Sequence, residues 1–154
     1  SMLQTYISWL ELNPNTLVDV EKEFQLEFEG VKITGNIDRI EKTPEGKYHI
    51  VDFKTGKSIP SGIIKNISED LQMNLYSLGV EKLYNELPER TSLYYIRNEK
   101  IIPYDVNKSK VAQVKKQLEE TTKSILNEEF DATPGQPCRN CDYKDICDFK
   151  AVTY

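Results

Sequence analysis

Hydrophobic and polar positions along this 154-residue chain change period from block to block, and each period predicts an element. From Leu3 to Leu12, Leu3, Ile7 and Leu10 recur at helical spacing with Tyr6 and Trp9 nearby, and Asn13-Pro14-Asn15 ends the run. A short helix over 3–13, packed on a sheet, is expected. From Val18 to Phe28 the period is two. Val20, Phe24, Leu26 and Phe28 share one face, and Glu21, Glu23, Gln25, Glu27 and Glu29 the other, so this strand has one wet acidic face. Gly30 turns the chain into ITGNIDRIE, and Thr43-Pro44-Glu45-Gly46 carries it on into KYHIVDFKT, with Pro and Gly where a β-turn wants them. The result is an antiparallel three-strand meander with His49 on the face opposite Asp52.

After Ser58–Asn66, read as a loop, Ser68 and Asp70 offer an N-cap for a helix from Glu69 to about Asn85, with Leu71, Leu75 and Leu78 as its core stripe. Gln72 and Tyr76, four apart, share an adjacent face. A hairpin follows, with Asn98-Glu99 near its tip; Tyr94 and Tyr95 point opposite ways, so at most one belongs to the core. Asn107 or Ser109 caps a long helix to about Glu128, with Val111, Val114, Leu118 and Ile125 buried and its lysines in water. The chain therefore predicts one α/β domain over 1–154, with sheet and second helix in 18–106, a C-terminal helix in 107–129 and a tail in 133–150 that packs back on the core.

Asp38 and Asp52 fall on adjacent strands among apolar neighbours, and Lys54 shares the face of Asp52. Charges so placed destabilise the fold unless they are paired or metal-bound. A salt bridge of Asp38 or Asp52 with Lys54 is the simpler account. The functional account is metal-assisted phosphodiester hydrolysis. Two carboxylates, with the backbone carbonyl of Phe53 as a third oxygen, suit Mg²⁺ or Mn²⁺, which would activate a water, while Lys54 positions it and offsets developing charge. Glu23 is a further carboxylate, better read as part of a solvated run. Lys57, Lys65 and Arg97 are weaker candidates for phosphate contacts, each equally natural as a surface cation.

Gly35-Asn-Ile-Asp38-Arg-Ile, then Val51-Asp52-Phe53-Lys54-Thr-Gly-Lys57, then Gln72-x-x-x-Tyr76, resemble the RecB-like branch of the PD-(D/E)XK nucleases over about Val20 to Phe149. The combination of these motifs in order is far more specific than any one of them. The resemblance implies a restriction-endonuclease-like α/β core with a mixed central sheet flanked by helices. It places Asp38 as metal ligand, Asp52 as the motif aspartate (with Val51 where many relatives have proline), Lys54 as the motif lysine, and Gln72 and Tyr76 beside them. Gln72 would hydrogen-bond substrate or a water, and Tyr76 would contact phosphate or brace Lys54.

All three cysteines lie in Cys138-x2-Cys141-x5-Cys147. Such crowding favours metal ligation over disulfides, although plain thiols remain an alternative. Three thiolates complete neither a tetrahedral site nor an iron–sulfur cubane. The spacing is similar to the cysteine triplet of the iron–sulfur RecB-like nucleases, including AddAB-type helicase–nucleases, whose fourth cysteine lies well upstream. That resemblance implies a 4Fe–4S cluster in a longer parent protein, with Ser1-Met2 read as a tag remnant before a truncation point.

Composition qualifies this picture. The net charge of −5 argues against strong autonomous DNA binding and mildly against a nuclease. No apolar run approaches membrane-span length and no signal peptide is visible, so a cytoplasmic, membrane-independent protein is expected. The leading expectation is a metal-dependent deoxyribonuclease module, the C-terminal domain of a DNA helicase, whose partners are DNA and helicase domains of the same chain or another subunit. Two other classes compete: a nuclease-fold module that grips DNA or docks subunits without cutting, and a zinc-dependent adaptor built on the tail.

Overall fold

The computed structural model describes residues 1–60 and 70–149. Among them, helix α1 (Met2–Leu12) precedes strands β1 (Thr16–Phe28), β2 (Val31–Lys42) and β3 (Tyr48–Lys54). Helix α2 (Leu71–Tyr84), strands β4 (Arg90–Tyr95) and β5 (Lys100–Asp105) and helix α3 (Lys108–Leu126) follow. The strands form one sheet in the order β1-β2-β3-β4-β5, with β3 and β4 parallel and the other neighbours antiparallel. This is the expected mixed-sheet α/β core. The meander forms as its turn chemistry dictates: Gly30 and Gly46 take φ of +81° and +82°, and the Gly46 amide donates to Thr43 O at 2.8 Å.

Strict alternation along β1 is disturbed in two places. Between the pairs Val20–Arg39 and Lys22–Ile37, Glu21 faces Asp38 with a left-handed φ of +46°. A second irregularity lies between Leu17 and Asp19. As a result Ile37 and Ile40, three residues apart, both enter the core, whereas Val20, expected inside, is 54% exposed. Such distortions re-aim side chains locally, as β-bulges do.

Helix α2 covers the sheet over β1 and contacts α3. Asp70, not Ser68, is its N-cap, its carboxylate accepting from the Met73 amide at 3.0 Å; Ser68 and Lys65 lie outside the described residues. Asn85 ends it in the left-handed conformation. Of the expected Leu71–Leu75–Leu78 stripe, Leu78 is in the core and Leu75 packs partly buried against it, whereas Leu71 is exposed; Met73, Tyr76, Ser77 and Val80 are buried beside them. The helix packs on a sheet and on another helix, so its buried arc is wider than one stripe. Helix α3 is capped by Asn107 as expected and buries Val111, Val114 and Thr122, whereas Ile125 is exposed.

Helix α1 docks on the other face through Tyr6 and Trp9, which meet Phe53 and Tyr94, rather than through Leu3 and Ile7, which are exposed. With both faces covered there, Tyr94 and Tyr95 are both buried, one on each side. The tail is expected to pack back on the core, but among its described residues the large hydrophobics Tyr143, Ile146 and Phe149 are exposed.

The seat of α2 is set by one ring. Phe24 lies between Gly35 of β2 and Gly79 of α2, and a Cβ added at either glycine would stand 2.9 Å or 2.7 Å from it. Gly79→Ala gains about 1 kcal/mol of helix propensity. The ring, blocked behind by Gly35, cannot retreat, and overpacking of this kind costs about 1–3 kcal/mol. The expected outcome is a net loss of stability in urea denaturation; an equal or higher midpoint would show that α2 sits less tightly than described.

Candidate active site

Asp38 and Asp52 meet where two strands part. The β2–β3 ladder runs from Lys42–Tyr48 to Arg39–Val51 and stops one residue short of the aspartates. Beyond it the Asp38 carboxylate takes over the ladder's role, accepting from the Phe53 amide at 2.8 Å through Oδ2. Asp38 is thereby fixed beside the peptide that follows Asp52. The Phe53 group engaged with the acids is thus its N–H, and the side chain turns to α1.

Asp52 is 2% exposed. Lys54 Nζ stands 2.7 Å from its Oδ2 as an ion pair, yet no directed hydrogen bond reaches that oxygen from the described residues. Lys54 Nζ also donates to Gln72 Oε1 at 2.9 Å, and Gln72 Nε2 donates to Tyr76 OH at 2.8 Å. The chain Asp52–Lys54–Gln72–Tyr76 therefore runs from strand to helix without a break. Spacing of four on α2 puts Gln72 and Tyr76 on one side, and the Tyr76 contact fixes the amide so that its carbonyl faces the ammonium.

Electrostatics follow from that geometry. Burial pushes the Asp52 carboxyl above its ordinary pKa; Lys54 opposes this, while Asp38 and Asp70 add to it. Burial also works against the Lys54 charge, but the close Asp52 carboxylate, helped by Asp70 and Tyr76, outweighs it, and the ammonium titrates above its usual value. Lys54 is thus a cation at neutral pH, suited to hold and stabilise negative charge rather than to abstract a proton. Burial raises the Tyr76 phenol as well, so it remains a hydrogen-bond donor.

The site also holds a residue that the sequence reading used only as a cap. Asp70 adds a third negative charge acting on Asp52 and Lys54. Its signal was the position two residues before Gln72. Missed entirely was the polar network on the opposite face. Glu41 is fully buried, pairs with Arg39, and accepts from Asn13 and Asn15 at 2.6 and 2.9 Å. His49 contacts Asn15 and Ser92 beside it. Opposite charges at i and i+2 of a strand were the available clue.

Lys57 is exposed in the segment after β3, and Arg97 is exposed on the turn between β4 and β5. Glu23 is exposed, as expected of a solvated run. Cys138, Cys141 and Cys147 are half-buried, and the Gly135 amide donates to Cys138 Sγ at 3.4 Å. Among the described residues no three His, Cys, Asp or Glu side chains gather as a metal-holding group.

The paired aspartates do suit one ion. Mg²⁺ needs only one or two protein carboxylates and keeps its waters or takes phosphate oxygens for the rest. Asp52 Oδ2, buried beside the Lys54 ammonium, and the Asp38 oxygen not held by Phe53 are the candidate ligands.

The sequence profile described as the PD-(D/E)XK nuclease superfamily matches residues 1–148. The chain belongs to this superfamily. The crystal structure of SSO0001 superposes at a TM-score of 0.57 and 18% identity over 98% of this chain and 68% of that one. A Eubacterium rectale protein whose crystal structure carries a provisional exonuclease assignment matches at 0.57 and 18%, over 99% of this chain and 62% of its own. This PD-(D/E)XK chain thus spans about two thirds of those neighbours, which support its fold. No curated protein matches it in sequence. No helix among the described residues is long and apolar enough to cross a membrane. The superfamily assignment makes a nuclease module of the domain.

Proposed function

We propose that this domain is a Mg²⁺- or Mn²⁺-dependent deoxyribonuclease, a phosphodiesterase of the RecB-like branch. In this reading it is the C-terminal module of a cytoplasmic DNA helicase that serves recombination or repair, with DNA and helicase domains as partners. The observation that carries the nuclease reading is the unbroken Asp52–Lys54–Gln72–Tyr76 chain with Asp38 at its head. A salt bridge serving stability alone needs neither the amide nor the phenol.

Asp38 and Asp52 would hold the divalent ion, which supplies Lewis-acid polarisation of the phosphoryl group and an acidified water. Lys54 stays in place when Asp52 is otherwise engaged, because Gln72 also holds it. Its ammonium can then face the attacking oxygen or the charge that grows on the phosphate. Tyr76 fixes Gln72 and keeps a phenolic proton for a phosphate oxygen. The motif order supports the RecB-like branch and, with it, the helicase parent. The Cys138, Cys141, Cys147 spacing supports a 4Fe–4S cluster in that parent, and no catalytic step depends on it.

The test is cleavage of labelled single-stranded and duplex oligonucleotides with Mg²⁺, Mn²⁺ or excess chelator. Cutting is expected only with metal. The same ions should raise the melting temperature in a concentration-dependent way, by about 2.7 kcal/mol of stabilisation at 100 Kd. Cutting undiminished by chelator, or no thermal response together with no cutting, counts against the proposal.

A further inference from the structure

The charge balance of the chain is unfavourable for binding a polyanion, so any phosphate contact must come from cations left unneutralised at the right place. Arg39 is buried against Glu41, and Arg90 is paired with Asp105. Arg97 differs. Its Nε donates to the carbonyl of Thr55 at 2.8 Å, and its terminal amino groups meet no partner among the described residues. The nearest acid in sequence, Glu99, is turned away and accepts from Thr5 of α1 at 3.0 Å. An exposed arginine in an acidic chain is thus anchored by its inner nitrogen with its fork left open.

The anchor fixes where that fork lies. Thr55 directly follows Lys54, about 3.8 Å along the chain. Lys54 is in register with Tyr95 across the parallel β3–β4 pair, and Arg97 lies two residues beyond Tyr95. Arg97 therefore stands at the carboxyl ends of the two parallel strands, where open α/β sheets place their ligands. Lys57, exposed and without an ion pair among the described residues, leaves the same edge two residues after Thr55. A guanidinium with Nε engaged still offers two outward N–H groups, which match two phosphate oxygens.

Resting on the nuclease reading, we infer that Arg97, with Lys57 beside it, clamps a DNA backbone phosphate next to the one that is cleaved. Arg97 is then a substrate-positioning residue. It binds the same phosphate before and during reaction, so its loss weakens binding without slowing the chemical step.

The experiment uses the full chain and a labelled oligonucleotide, single-stranded and duplex in separate arms. Ca²⁺ is present for binding and Mg²⁺ for cleavage. Arg97→Ala should raise KM about tenfold and leave kcat within about twofold, and the slope of log K against log salt should shrink by about 0.7 on single strands or 0.9 on duplex. Arg97→Lys should restore the slope but not the full affinity, because lysine lacks the nitrogen that reaches Thr55. Lys57→Ala should remove a further increment of slope. Melting temperatures should be unchanged, which separates a binding defect from a folding one. An Arg97→Ala protein with wild-type KM and salt slope, while wild type cuts, overturns the clamp. If wild type neither binds nor cuts either oligonucleotide, the nuclease reading fails first and the clamp with it.

Discussion

Asp52→Asn should lower metal-dependent DNA cleavage by at least about 10²–10³-fold, the loss typical when one preorganised electrostatic group is removed. The substitution keeps shape and volume but removes the charge that a divalent ion and Lys54 both use. Folding should survive it, because a buried carboxylate becomes a neutral amide. Lys54→Met should lose activity to a comparable extent and behave differently in stability. It leaves Asp52, 2% exposed, without its cation. Breaking a buried pair costs about 3–5 kcal/mol. Here about 2 kcal/mol is expected, because the Lys54 side chain is 32% exposed and water already screens it. The double variant Asp52→Asn/Lys54→Met should recover most of that loss in urea denaturation and none of the cleavage. Such a split would separate the pair's structural part from its chemical one. An Asp52→Asn protein that cuts at the wild-type rate would show that the ion is held elsewhere.

Glu41→Ala should be the most damaging change to stability. Glu41 is fully buried and is the common acceptor for Arg39, Asn13 and Asn15. Its removal strands a buried guanidinium and two amides, for about 3–5 kcal/mol. At about 2–4 °C per kcal/mol for a domain of this size, the melting temperature should fall by roughly 10 °C. The chain's one tryptophan, Trp9, lies over Arg39 with its centroid 5.4 Å from the guanidinium carbon. Its fluorescence should shift to the red as α1 loosens. Replacing both partners, Arg39→Met with Glu41→Leu, should recover much of the loss, since an apolar pair leaves no orphaned charge. Equal melting temperatures for Glu41→Ala and wild type would mean that water reaches the pocket.

Much of the site was legible because strand alternation and helical spacing are local. Asp52 and Lys54 two apart, Gln72 and Tyr76 four apart, and the Thr43–Gly46 turn each follow from positions within a few residues. What eluded the sequence depended on non-local packing. Val20 is exposed between a register shift at Leu17–Asp19 and a left-handed Glu21, neither of which a residue type announces. Tyr94 and Tyr95 are both buried because α1 covers the second face, and nothing in strand periodicity says that a helix from the start of the chain, Met2–Leu12, will return there. The Leu71–Leu78 stripe was too narrow, and wrong at Leu71, because α2 touches a sheet and another helix at once. The Arg39–Glu41 pair was hidden for the opposite reason: its charges looked like ordinary surface charges until a helix closed over them.

The parallel β3–β4 junction also orders events in time. Hairpins close across short connections, whereas a parallel neighbour must wait for a long crossover to be traced first. Asp38, Asp52 and Lys54 all belong to segments that zip early, next to one another in the chain. Gln72 and Tyr76 arrive with the crossover itself. The topology therefore predicts that the two acids and the amine come together before α2 docks, so that the docking of α2 is the step that orders them.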